Sequence, residues 1–213
     1  MEALQRSVLS NNWITIIFVF SILLLFFLKL FTAEKLKGYV TSIFNKGFLE
    51  IEAEENYWAF SFFQTGFSVF TFLMLSVTTF FLVNQFKQHS VFLLEDYLES
   101  TYYLISYVGL RFLIVFGLFS LFQFKSRLSF FMTSKRGYLY SISIGLFFLN
   151  IFYFYALQQQ YLLFTGVIAL FSLRFLLIFI NNKNLIIKEL FYFILYLCAF
   201  ELAPLFVLFR LIF

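Results

Sequence analysis

Long apolar runs recur along this chain, and each has roughly the length that an α-helix needs to cross a lipid bilayer. A crossing takes about 20 residues because the hydrocarbon core is about 30 Å thick. A helix satisfies its own backbone hydrogen bonds, which makes it a stable spanning structure in lipid. The runs therefore predict one all-α membrane domain over 1–213, a polytopic bundle of about six transmembrane helices. They lie at about 13–31, 58–83, 101–124, 138–157, 161–180 and 185–213.

Composition excludes the main alternatives to a membrane bundle. Hydrophobic residues make up 62% of the chain and charged residues only 12%, whereas soluble domains carry about 25% charged residues. A water-soluble globule, a disordered chain and a disulfide scaffold are thereby excluded. The single cysteine, Cys198, and the single histidine, His89, leave little for metal or acid–base chemistry. We expect neither a cofactor nor a metal.

The longest polar connection, residues 32–58, divides into two halves. The first half predicts a cytoplasmic helix lying in the membrane interface, because apolar residues recur there at helical spacing with lysines among them. The apolar residues are Leu36, Val40, Ile43, Phe44 and Phe48, and the lysines are Lys35, Lys37 and Lys46. The second half predicts a solvated acidic face that docks a basic partner. Its four carboxylates are Glu50, Glu52, Glu54 and Glu55.

The distribution of lysine and arginine predicts the orientation. The first, third and fifth connections between the predicted spans hold nine lysine and arginine residues in total. The other connections and the two termini, on the opposite side of the membrane, hold three. Cytoplasmic loops carry the excess of such residues, so both termini are predicted to be periplasmic. The nine are Lys35, Lys37, Lys46, Lys125, Arg127, Lys135, Arg136, Lys183 and Lys188, and the three are Arg6, Lys87 and Arg210.

Three charged side chains, Arg111, Arg174 and Glu201, are predicted to lie at bilayer depth, where such groups normally find a partner. Their depths predict that Arg111 meets Glu201 near the middle of the bilayer and that Arg174 meets Glu189 near the inner interface. Asn150 lies at a depth that suits a third member of the deeper group. A structural pair that fixes helix register, a proton or substrate relay, and a contact with another subunit all fit these residues.

A proline interrupts the last predicted span. Pro204 cannot donate a hydrogen bond to the carbonyl of Phe200, which is left free beside Glu201. A proline kink is an ordinary feature of spanning helices, and broken helices also line ligand sites. Both interpretations stay open.

A basic stretch precedes the fourth predicted span and is expected to form a cytoplasmic loop. Its charges would attract anionic lipid headgroups. They also allow contact with a ribosome, and no other nucleic-acid contact is expected. The residues are Lys125, Arg127, Lys135 and Arg136.

The C-terminal stretch Lys188–Leu205, KELFYFILYLCAFELAPL, resembles the end of a known family. The family comprises small integral membrane proteins of Gram-negative bacteria and is catalogued as a domain of unknown function. The resemblance implies residence in the inner membrane. It implies no activity, and it assigns no functional residue.

Function is predicted from what the chain offers to partners. Serine-protease, zinc-protease, P-loop and nucleophile-elbow patterns are absent from the sequence, while acidic and basic stretches suit docking. We therefore expect a non-catalytic accessory subunit of a larger inner-membrane assembly, one that moves or inserts proteins, with the bilayer and other membrane subunits as partners. The alternative is a small transporter or proton-coupled channel using Arg111, Glu201 and the break at Pro204. A third reading is a lipid-modifying enzyme with Glu201 as its base.

Overall fold

The computed structural model describes residues 12–42, 47–55, 62–86, 92–121, 125–157 and 159–181. Side chains are described within these ranges except at 50, 53–55, 114–121, 125–132, 157 and 160. Every regular element in this part of the chain is a helix, which confirms the predicted all-helical bundle. The helices are α1 (Asn12–Thr41), α2 (Gly47–Glu55), α3 (Phe62–Phe86), α4 (Leu94–Leu121), α5 (Lys125–Phe152) and α6 (Gln160–Asn181); α5 continues into a π-helical turn, Tyr153–Leu157.

Four stretches of the described helices are long and apolar enough to cross a membrane, and they are compatible with a multi-pass membrane protein. They match the first, second, fourth and fifth predicted spans. Residues 182–213, which hold the whole of the sixth, lie outside the described part, and α4 covers most of the third. The count of six spans therefore stays a prediction. The four are Asn12–Thr41, Phe62–Phe86, Thr133–Ala156 and Tyr161–Asn181.

Helices α3 and α5 form the centre of the bundle. Helix α3 packs against α1, α4 and α5, and α5 packs against α1, α2 and α6. Large side chains of α3, such as Phe67 and Phe70, are fully buried between them. The rings of Phe67 and Tyr140 meet edge to face with centroids 4.8 Å apart, an arrangement that the charge distribution of aromatic rings favours. Aromatic packing between α3 and α5 thus holds the core together.

Helices α1 and α6 present long apolar faces on the outside of the bundle. Phe20 and Phe27 on α1 and Phe175 on α6 are among the exposed residues. A soluble monomer rarely exposes contiguous apolar patches of this extent. A helix surrounded by lipid can expose them, because lipid tails are as apolar as the side chains. This surface fits the low charge content of the sequence.

A break divides α1 at Thr32, whose backbone angles are φ −149° and ψ 59°. The Thr32 hydroxyl donates to the carbonyl of Leu28 at 3.1 Å. Residues 33–41 then continue as helix, in the stretch where the interfacial helix was predicted. In the structure that stretch is the last part of α1, and α2 is a separate helix. The region predicted as one interfacial helix therefore belongs to two helices. Ile43 and Phe44 lie outside the described residues.

The basic stretch is helical rather than a loop, because α5 begins at Lys125. The predicted loop is wrong at this point. The stretch contains neither proline nor glycine. Gly137, which follows it, is needed for packing, because a Cβ there would collide with Cδ2 of Leu49 on α2. Leu49 is fully buried, so Gly137 allows α2 to lie directly against α5.

Candidate functional site

A buried carboxylate on α2 organises one end of the bundle. Glu52 is 2% exposed, and its Oε2 lies 3.3 Å from the Nζ of Lys35 on α1. The same ammonium donates to Oε1 at 3.4 Å. The Lys35 side chain is 32% exposed, so the pair has one buried and one partly solvated member.

Two further residues complete the surroundings of this carboxylate. The side-chain amide of Gln64 on α3 donates to Glu52 Oε1 at 3.3 Å. Tyr39 on α1 lies beside the same carboxylate and interacts with it electrostatically. A buried charge is tolerated where it is paired and hydrogen-bonded. Lys35, Tyr39, Glu52 and Gln64 are called the Glu52 cluster below.

Helical periodicity explains how the Glu52 cluster forms. Lys35 and Tyr39 are four residues apart and therefore share one face of α1. Leu49 and Glu52 are three apart and share the inward face of α2. Since Leu49 is seated against Gly137 of α5, the same rotation of α2 turns Glu52 toward α1 and α3.

Hydroxyl groups extend the cluster toward α5. The Tyr140 hydroxyl lies 2.6 Å from that of Ser68 and donates to the carbonyl of Gln64 at 3.2 Å. The Ser141 hydroxyl donates to the carbonyl of Tyr39 and lies 2.8 Å from that of Ser42. Four helices are therefore tied together at this end through polar side chains.

Asn150 lies elsewhere, in the interior between α5 and α3, and is fully buried. Its Nδ2 donates to the Thr78 hydroxyl at 2.9 Å and to the Met74 carbonyl at 3.4 Å. The Thr78 hydroxyl lies 3.3 Å from Asn150 Oδ1. The structure thus pairs Asn150 with α3, and its predicted place in the group of Arg111 and Glu201 stays a prediction.

Each predicted intramembrane ion pair has one member outside the described residues. Arg111 is half-buried on α4. Arg174, on α6, donates from Nη2 to the carbonyl of Lys135 at 3.3 Å. Their predicted partners, Glu201 and Glu189, and the predicted helix break at Pro204 lie outside the described part of the chain.

The predicted docking residues divide into internal and external ones. Glu52 and Lys135 were expected on a solvated surface, yet both are buried, because each lies on the side of its helix that packs into the bundle. Arg136 is exposed. The remaining docking residues lie on α2 and α5, with side chains outside the description: Glu50, Glu54, Glu55, Lys125 and Arg127.

The Glu52 cluster fixes the position of α2 chemically. One carboxylate accepts from Lys35 of α1 and from Gln64 of α3, so α2 has a single rotation that satisfies both donors. Among the described residues, no group of three or more histidine, cysteine, aspartate or glutamate side chains is placed to hold a metal. A sequence signal for the cluster did exist, since Gln64 is a polar residue near the start of an apolar run.

Comparison with known proteins gives one match. No curated protein and no solved structure matches the chain. The model of one protein family matches residues 14–212, which is nearly the whole chain and includes the C-terminal stretch that suggested such a family. The chain therefore belongs to the family described as "Domain of unknown function (DUF4271)".

Proposed function

We propose that this protein is a non-catalytic, multi-pass membrane subunit of a larger assembly, with α2 as its contact surface for a partner. The observation that carries the proposal is how α2 is held. Glu52 and Leu49 fix its inner side, while Ile51 of the same helix is 58% exposed. A helix that is held on one side and exposes an apolar side chain on the other suits protein recognition, because little conformational entropy is lost on binding.

Charge distribution supports a cytoplasmic location for this surface. Ser141, five residues after Arg136 on α5, donates to the Tyr39 carbonyl on α1. The basic residues near Tyr39 on α1 and those at the start of α5 therefore lie at one end of the bundle. An excess of lysine and arginine at one end is typical of the cytoplasmic side of a bacterial inner membrane protein.

The class of assembly that we propose is one that moves or inserts proteins. Such an assembly needs subunits that are anchored in lipid and also present a binding surface to cytoplasmic proteins. The exposed apolar faces of α1 and α6 supply the first property, and α2 supplies the second.

Site-specific photocrosslinking tests the proposal. A photoreactive amino acid at Ile51 is expected to give one discrete adduct in native membranes, and mild-detergent purification is expected to recover the same partner stoichiometrically. The matched control is Ile16 on the apolar part of α1, which is 67% exposed and should contact only lipid. A monodisperse lone protein, with no adduct from Ile51, would contradict the proposal.

A further inference from the structure

An open cavity lies beside the break in α1. Its volume is about 530 Å³, and the described residues that line it are Phe31, Thr32, Lys35, Phe62 and Phe63. Ligand sites commonly have volumes of about 300–1,000 Å³ and combine an apolar wall with a few polar groups. The cavity belongs to the same end of the bundle as the Glu52 cluster, because Lys35 takes part in both.

Aromatic rings form the apolar wall. Phe31 is 69% exposed and Phe62 74% exposed, and their rings meet edge to face with centroids 5.9 Å apart. Two exposed phenylalanines beside an open cavity offer an apolar ligand a large area to cover. A free inorganic anion has no apolar surface to bury against such a wall.

Lys35 supplies the one charge among the described lining residues. Its partner Glu52 is almost wholly buried, whereas Lys35 is about one third exposed. The carboxylate is therefore covered, and the ammonium is the part of the pair that faces outward. An ammonium has three donors and no acceptor, so its outward side is complementary to an anion.

From this geometry we infer that the cavity binds an anionic phospholipid. The phosphate group contacts the Lys35 ammonium, and an acyl chain lies along Phe31 and Phe62. The Thr32 break carries Lys35 past the end of the long apolar part of α1, which is where a lipid headgroup region meets a spanning helix. The inference rests on the placement of the chain in a bilayer and does not depend on any partner protein.

Native mass spectrometry of the purified protein in mild detergent tests this site. We expect phosphatidylglycerol to bind more tightly than phosphatidylcholine. Lys35→Gln combined with Glu52→Gln, which removes both charges together, should weaken phosphatidylglycerol binding about fivefold, the effect typical of one basic residue near an anionic lipid surface. Lys37→Gln is the matched control, because Lys37 is exposed and lies two residues along α1 from Lys35. It should change binding less than twofold.

Two further variants keep the test independent of folding defects. Glu52→Gln alone keeps the ammonium and removes its competing carboxylate, so phosphatidylglycerol should bind at least as tightly as before. Phe62→Ala should weaken phosphatidylglycerol binding more than Phe20→Ala does, since Phe20 is also exposed but is not among the lining residues. Equal binding by the Lys35/Glu52 double variant and the Lys37 variant would overturn the inference. Competition by millimolar inorganic phosphate as effective as by the lipid would also overturn it, in favour of a free-phosphate site.

Discussion

Replacing Lys35 with methionine is expected to lower the free energy of unfolding by about 3 kcal/mol, the lower end of the cost of breaking a buried ion pair. Methionine keeps much of the side-chain stem, so the loss comes from the charge. Glu52 would stay 2% exposed with the neutral amide of Gln64 as its donor. The value lies at the lower end because Lys35 is itself partly solvated. Denaturant unfolding in detergent micelles, followed by circular dichroism, measures it.

A second substitution separates lost charge from lost packing. Combining Lys35→Met with Glu52→Gln should recover most of the lost stability, because the neutral amide retains the shape of the carboxylate and its oxygen can still accept from Gln64. Lys37→Met is the control, since an exposed lysine should matter by less than about 0.5 kcal/mol. Equal stability of the Lys35 and Lys37 variants would show that Glu52 does not depend on its ion pair. So would a double variant no more stable than Lys35→Met alone.

Replacing Asn150 with aspartate is expected to have the other large effect, a loss of about 3 kcal/mol or more. Asn150 is fully buried, and its amide nitrogen donates to the Met74 carbonyl. An aspartate would place a charge in the same position and turn that donor into a second acceptor. Asn150→Leu should be much milder, because hydrogen bonds between membrane helices contribute about 0.6 kcal/mol on average.

The matched control for this change is Gln159→Glu. Gln159 is also an amide but is exposed, so the same gain of charge should leave stability nearly unchanged. The thermal midpoint in detergent and the yield of folded protein from membranes measure the comparison. An Asn150→Asp variant that accumulates and melts like Gln159→Glu would refute the buried position of Asn150.

Much of the fold could be predicted because hydrophobicity has a simple relation to helix length in a bilayer. The four apolar stretches were recognisable from length and low charge alone, since each apolar run continues for about as many residues as a crossing requires. Ser141 and Gly145 lie four residues apart on α5 and are small enough to allow close helix packing. A Cβ at Gly145 would lie 3.0 Å from Leu170 on α6, so α6 does approach closely there.

The site could not be predicted in the same way, because it depends on how short helices rotate in three dimensions. Four glutamates in one short stretch indicate a solvated face, and nothing local distinguishes Glu52 from the others. Its burial follows from contacts with Lys35 and Gln64, 17 and 12 residues away in sequence. The break at Thr32 was equally hidden, because threonine alone does not indicate where a helix changes direction.

The most direct test of the proposed placement is cysteine labelling in intact bacterial cells, in a background with Cys198→Ser. Lys37→Cys and Gln159→Cys place one thiol at each end of the bundle, since Lys37 lies near the Glu52 cluster and Gln159 follows the far end of α5. We predict that a membrane-impermeant maleimide labels Gln159→Cys in intact cells and Lys37→Cys only after permeabilisation. Labelling of both positions from outside, or release of the protein from membranes by alkaline carbonate, would contradict it.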